Sequence, residues 1–470
     1  MKTSPRSTTI PDPTLLLFLM AGTLVAAALA TDPTSRLVLI VVALLPIGFW
    51  FLERLASSSE VGVALVVGAS AIPRGAVEIG GLNVRPEHLA VGLVCLALPF
   101  LLRRRPGQVG WMNADYLLAA YAGINVLSSL VASPDPSQTF KWSLQQGLAI
   151  LPYFILRLTS GDDRGFRWAF RVLLIVGTLA AAYGVLAYYS NFVFGTEFGV
   201  EVEQYGSIPA TYGTQFEANI LGAYCGAFAV AMLAMYLQKE RRIYLVGYGI
   251  TLAGMGVSLS RGALGATLLG LLVLGYLARR GGLLNRRVLT ATLVATLWVG
   301  VACLPVLAPR YSERLSTIDV SDPTADEDTM FRVVQFAGAL DDIADSPLLG
   351  HGTSSFQLLF APGAAESIVG TNVPWIANSE LRILHDTGAI GLGLFLLFLG
   401  ALLRKAWPLL RRGSEPALLA LLTSAVVYCV SFQATEGTIL AFPWVHLGLI
   451  GCVVAMELKN PRRGAGVPGK

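Results

Sequence analysis

Three stretches of the chain carry residues whose types and spacing could do chemistry. Arg261 stands in Ser258-Leu-Ser-Arg-Gly262, a tight turn between two apolar runs. A guanidinium grips phosphate through paired donors, so an arginine fixed there suits a phosphate-bearing lipid. The plainer reading is an interfacial arginine that runs its stem along apolar surface to reach head groups. Arg332 lies in an amphipathic stretch, Asp328-Thr-Met-Phe-Arg332, where Asp328 at i−4 is an available partner. It is followed by Leu349-Gly-His-Gly352, in which Gly350 and Gly352 free the backbone for a turn around His351. The third stretch runs from Trp375 to Gly388 and gathers Asn378, Glu380, Arg382, His385 and Asp386. Arg382 and Asp386 are spaced to pair, and an amphipathic lead-in to the apolar run that follows would account for the whole set without catalysis.

The elements that must position these residues are written in the hydropathy. Of 470 residues, 54% are hydrophobic and only 14% charged, against about 25% charged in soluble domains. The apolar residues come in runs of a length that fits a bilayer core. Fourteen candidate spans follow, at about 14–30, 36–53, 61–73, 88–102, 115–132, 143–158, 168–190, 216–237, 242–258, 262–279, 288–308, 388–404, 416–433 and 439–456. Backbone in lipid must satisfy its own hydrogen bonds, so the spans are helices. The expected fold is an all-α polytopic membrane protein with about 12–14 transmembrane helices and one large external loop. The first span superficially resembles a signal peptide but is expected to be retained.

Arginine and lysine set the orientation. Arg103-Arg104-Arg105, the stretch from Arg157 to Arg167, Lys239 to Arg242, Arg279 to Arg287, Arg404 to Arg412 and the tail from Lys459 all follow even-numbered spans. The positive-inside rule puts them, and both termini, in the cytoplasm. The external face then receives 74–87, 133–142, 191–215, the turn at 259–261 and the long acidic segment 309–387. The chain divides into membrane helices over 1–308, the external loop over 309–387, and membrane helices with a basic tail over 388–470. The net charge of +4 is small; its distribution, with basic clusters between apolar runs, is a topology signal, and no nucleic-acid partner is expected. Cys95, Cys225, Cys303, Cys429 and Cys452 all fall in apolar runs without CxxC spacing, and four scattered histidines make no metal centre.

Taken in order, Thr211-Tyr-Gly-Thr-Gln-Phe-Glu-Ala-Asn219, the Ser260-Arg261-Gly262 turn, and the long loop with its arginine, Gly350-His-Gly352 and Asn378…Leu384…Gly388-Ala-Ile-Gly391 resemble one family. It is the O-antigen ligase and polymerase family of bacterial membrane glycosyltransferases, and the likeness covers about residues 110–405. The resemblance implies transfer of a glycan from an undecaprenyl-diphosphate carrier to a glycan or lipid acceptor at the periplasmic face of the inner membrane, without a cofactor or metal. Arg261 and Arg332 match the arginines expected to bind the diphosphate. The family's usual His-Asn pair reads Ala377-Asn378 here, so the base must be sought elsewhere: Glu380 first, His385 second, Asp386 further off. Ligase and polymerase are not separated by the sequence. The rival outside the enzyme class is a transporter or flippase for polysaccharide or lipid-linked glycan, which would need polar or broken helices at mid-membrane.

Overall fold

The computed structural model describes residues 53–103, 110–201, 210–316, 327–360, 375–413 and 415–459, apart from 56, 80 and 81. The candidate spans at 14–30 and 36–53 and the tail from 460 onward lie outside the described residues, but for residue 53 itself. Each of the other twelve candidate spans corresponds to one helix. In chain order these are α1 (Ser59–Ser70), α2 (Pro86–Arg103), α3 (Asn113–Val131), α4 (Pro136–Thr159), α5 (Asp163–Phe194), α6 (Ala218–Lys239), α7 (Arg242–Val257), α8 (Arg261–Arg280) and α9 (Arg286–Ser316). After two loop helices, the 19-residue α10 (Glu327–Asp345) and the short α11 (Phe356–Leu359), come α12 (Ser379–Arg412), α13 (Pro416–Ser431) and α14 (Ala441–Lys459). Two small antiparallel hairpins, β1–β2 (Val77–Ile79, Leu82–Val84) and β3–β4 (Val200–Glu201, Ala210–Thr211), sit in connections between helices.

Eight of the described helices are long and apolar enough to cross a membrane, and α1, α7 and α13 are shorter apolar helices. The chain is an all-α, multi-pass membrane protein. α6 stands at its centre: its apolar window is wholly buried, as befits a helix that is hydrophobic all round. It packs against α5, α7, α8 and α13. The Phe228 ring of α6 fills the space a side chain would need at Gly177 of α5. α9 is the opposite case, with Trp298 72% and Val301 71% exposed; in a membrane-spanning helix such apolar residues belong against lipid. α4 is less apolar than its neighbours because its first half does polar work. There Thr139 donates to the Ser129 carbonyl, Gln145 to the Asn83 carbonyl and Gln146 to the Thr438 carbonyl.

The two ends of the bundle differ in charge. At one end lie Arg157, Arg164, Lys239, Arg242, Arg280, Arg286 and Arg412, the basic clusters of the sequence, knit by Glu240–Asn285, Gln238–Pro416 and Glu60–Arg164 contacts. A buried pair anchors it: Arg157 donates Nε and Nη2 to the two oxygens of Asp115 at 3.2 and 3.0 Å, and Tyr153 donates to the same carboxylate at 2.7 Å.

The boundaries drawn at 309 and 387 shift in the structure. α9 continues to Ser316, and α12 starts early, at Ser379, with Asn378 accepting from the Leu381 N–H as its cap. α12 then breaks at Gly388, whose φ of 63° and ψ of −170° lie in a region open essentially to glycine alone. The break separates a polar stub, 379–387, from the apolar remainder.

Candidate functional site

The other end of the bundle assembles the residues singled out by the sequence. The Gly350-His351-Gly352 turn lies along the polar stub of α12: His351 N donates to the His385 carbonyl and Gly352 N to the Asp386 carbonyl, both at 2.9 Å. Gly350 and Gly352 have φ of 68° and 90°, and a Cβ on Gly350 would meet the backbone of residues 385–387 at about 2.5 Å. From α3, the Ser128 hydroxyl bonds to the Asp386 carbonyl at 2.7 Å. Ser379 N donates to the Phe432 carbonyl at 2.9 Å, tying the start of α12 to the end of α13.

Two hollows open here. The smaller lies at the N-terminus of α8 and is lined by Asn219, Ser260, Arg261, Arg332, Ser431 and Thr435, among others. The two arginines, far apart in the chain, thus line one hollow, and none of its described lining residues is acidic. Ser260 caps α8, accepting from the Ala263 N–H while its hydroxyl donates to Asn219. The N-termini of α6 and α8 therefore both adjoin it, each the positive end of a helix dipole.

The larger hollow, about 330 Å³, is lined by Glu201, Phe216, Glu217, Ser354, Trp375, Arg382, Asp386 and Glu436 among others. Its charge is the reverse of its neighbour's, four carboxylates to one arginine. Arg382 organises it: Nε lies 3.2 Å from Asp386 Oδ2, Nη1 lies 3.1 Å from Glu436 Oε1, and Nη2 donates to Ser354 Oγ at 3.1 Å. Glu436 is only 5% exposed. Its Oε1 also accepts from Thr438 N at 2.6 Å, Thr438 Oγ1 at 2.5 Å and Ile439 N at 3.2 Å. Its Oε2 is buried with no hydrogen-bond partner among the described residues. The two hollows meet where the Thr435 hydroxyl, in the wall of the smaller, bonds the Glu217 carboxylate, in the wall of the larger.

Of the three sequence candidates for a base, Glu380 and His385 fall outside both hollows. Glu380 lies in the first turn of α12, accepts from Gln433 Nε2 at 2.8 Å, and lines neither hollow. Asn378, besides capping α12, donates to Gln433 Oε1 at 3.1 Å. His385 is fully buried and forms a strut: Nε2 is 3.2 Å from Asp342 Oδ2 of α10, and Nδ1 is 3.3 Å from Asp386 Oδ1. His351 bonds the Asp342 carbonyl through Nε2 at 2.6 Å. Asp386 does line the larger hollow, but its oxygens are engaged by Arg382, His385 and the Ser354 N–H.

Sequence reasoning missed Glu436 and Glu217, and also Arg85, whose guanidinium sits 5.5 Å from the centre of the Phe216 ring beside Glu87 at 3.3 Å. Burial pulls the Arg85 pKa below its ordinary value, with Glu87 opposing the shift. Glu217 stood inside the Thr211–Asn219 stretch, and Glu436 was the acid in the short connection between the last two spans; either was visible as a charge at a membrane boundary. Among the described residues no group of three or more His, Cys, Asp or Glu could hold a metal ion. No protein-family model matches the chain, and no curated protein matches it.

Proposed function

We propose that the chain is a membrane glycosyltransferase of the O-antigen ligase or polymerase type, acting on an undecaprenyl-diphosphate-linked glycan at the periplasmic face of a bacterial inner membrane. The observation that carries this reading is the pairing of a hollow lined by two arginines, with no acid among its described lining residues, with an acidic one. The first suits a diphosphate and the second a hydroxyl-rich acceptor.

In this reading the carrier enters sideways between helices and rests its diphosphate on Arg261 and Arg332, with the dipoles of α6 and α8 adding to the field. The acceptor hydroxyl lies in the larger hollow and gives its proton to the Glu436 carboxylate, whose covered Oε2 is uncovered by substrate binding. Its oxygen bonds to the anomeric carbon as the bond from that carbon to the diphosphate breaks. The charge that develops on the leaving group is stabilised by donors already in place, an effect worth about 3–4 kcal/mol for a well-placed one. Glu436 takes the role that Ala377 cannot. Its Oε1 is pinned by four donors, so Oε2 is held for a single task. The basic end, by the positive-inside rule, faces the cytoplasm.

The test is turnover by purified protein supplied with a lipid-linked oligosaccharide and an acceptor glycan. A new glycosidic product supports the reading. Movement of the intact lipid-linked glycan across proteoliposomes, with no new linkage, would replace it with the transporter reading.

A further inference from the structure

A third cavity, about 670 Å³, lies at the basic end, remote from both hollows, between α5 and α7 and over α6. Its shape follows from helix packing. α5, α6 and α7 converge at Gly254, where an added Cβ would lie 3.0 Å from both Ala181 Cβ and Cys225 Sγ. From there toward the basic end α5 and α7 part, and Met232 and Met235 of α6 form the floor. Its lining runs along α5 from Phe166 to Leu179, about 20 Å at the helical rise, and from Arg241 along α7 to Ile250, about 14 Å. Both lengths are close to one leaflet, about half of a 30 Å hydrocarbon core. Its apolar rim is open to the surroundings: Ile175, Leu179, Ile243 and Val246 are 52%, 63%, 68% and 55% exposed.

The mouth is cationic. Arg167, Arg171, Lys239 and Arg241 line it and are all exposed. Opposing them are Glu415, also in the lining, and Asp163, whose carboxylate is 3.9 Å from Arg167. Burial pushes the Glu415 pKa up, which weakens the one acid inside the groove. A groove one leaflet deep, apolar along its length and ringed by cations at the head-group level, matches a single class of molecule.

We propose that this groove binds one anionic phospholipid of the leaflet at the basic end. Its phosphate lies among Arg171, Lys239 and Arg241, and one acyl chain lies between α5 and α7 on Met232 and Met235. The lipid fills the gap between two helices that also support the site end, and so acts as part of the bundle's packing.

The experiment measures lipid retention by native mass spectrometry, and thermal unfolding, for the full-length protein in detergent. Phosphatidylglycerol is compared with phosphatidylcholine, and free glycerol phosphate is the third arm. Phosphatidylglycerol should be retained at one copy and raise the unfolding temperature. Arg171→Ala with Arg241→Ala should weaken retention about fivefold per cation removed. Arg411→Ala with Arg412→Ala, basic residues at the same end but outside the groove, should leave it unchanged. Equal retention of both lipids, equal protection by glycerol phosphate, or equal loss in the two double variants would overturn the proposal. Val246→Trp, which narrows the groove without altering charge, should reduce retention; unchanged retention would equally sink it. None of these readouts involves glycan transfer, so the outcome is independent of the enzyme reading.

Discussion

Arg382 Nη1 lies 3.1 Å from one oxygen of the Glu436 carboxylate, while the other oxygen of that carboxylate is buried with no partner among the described residues. A buried carboxylate oxygen without a hydrogen bond costs about 1–3 kcal/mol or more, and the site carries it in the wall of a cavity of about 330 Å³. Glu436→Gln retains the shape and removes the base. Transfer should fall about 10²–10⁴-fold in kcat, with little change in donor KM and with the protein still folded in the membrane. Glu380→Gln, whose carboxylate is tied to Gln433 at the rim, should keep near-normal turnover. Undiminished transfer by the Glu436 variant would return the search for a base to Asp386 and Glu217.

The smaller hollow makes a separate prediction. Arg261→Ala and Arg332→Ala should each lower transfer about 10²–10³-fold, the effect of removing one donor that stabilises developing charge. Lysine at either position should restore only part of the rate, because a point charge lacks the paired donors of guanidinium. The measurement is single-turnover transfer with saturating lipid-linked donor. If the alanine variants transfer at the parent rate, these residues are interfacial arginines and nothing more.

The site was only partly legible in the sequence, for reasons these residues make plain. The helices could be read because lipid demands long apolar runs, and even the unusually polar α4 kept enough of one. Arg261 and Arg332 could be singled out in the sequence as candidate phosphate binders, though not as neighbours, since only folding brings Arg332 of the loop helix α10 into one hollow with the N-terminus of α8. In the sequence, Glu380 lies three residues after Ala377 and so on the same helical face. Asn378 caps α12, however, so Glu380 falls in the first turn and turns toward Gln433. His385 points at α10 instead, where Asp342 receives it. Glu436 gains its meaning from Arg382 on another helix, and no local pattern carries that relationship.

At the basic end, Asp115 accepts from Arg157, Tyr153 and the Met112 N–H at once. Asp115→Ala strands a buried guanidinium, which should cost about 3–5 kcal/mol. The unfolding temperature in detergent should drop accordingly, while turnover per folded molecule stays close to normal. Asp115→Asn keeps hydrogen-bond capacity without charge and should fall between. An unchanged unfolding temperature in the alanine variant would mean that the pair contributes nothing to stability.

Gly388 offers the sharpest test of how the stub of α12 is held. Its backbone lies in the glycine-only region, and a Cβ there would run into the Leu348 carbonyl. Gly388→Ala therefore carries a dihedral cost of about 1–3 kcal/mol and a collision with backbone, which cannot swing aside as a flexible side chain can. The relief available is for the 346–352 turn to lift off. That breaks the Ala389 N to Pro347 O and Gly352 N to Asp386 O bonds and loosens the His385–Asp342 strut that ties α10, and with it Arg332, to α12. The expected result is a raised donor KM together with lowered kcat, and faster proteolysis between 346 and 352. Asp342→Asn, which weakens the same strut without touching the backbone, should raise donor KM in the same direction by a smaller factor. If Gly388→Ala transfers glycan normally with that turn still protected, the turn and α10 hold their places without the glycine, and the coupling from the helix break to Arg332 is wrong.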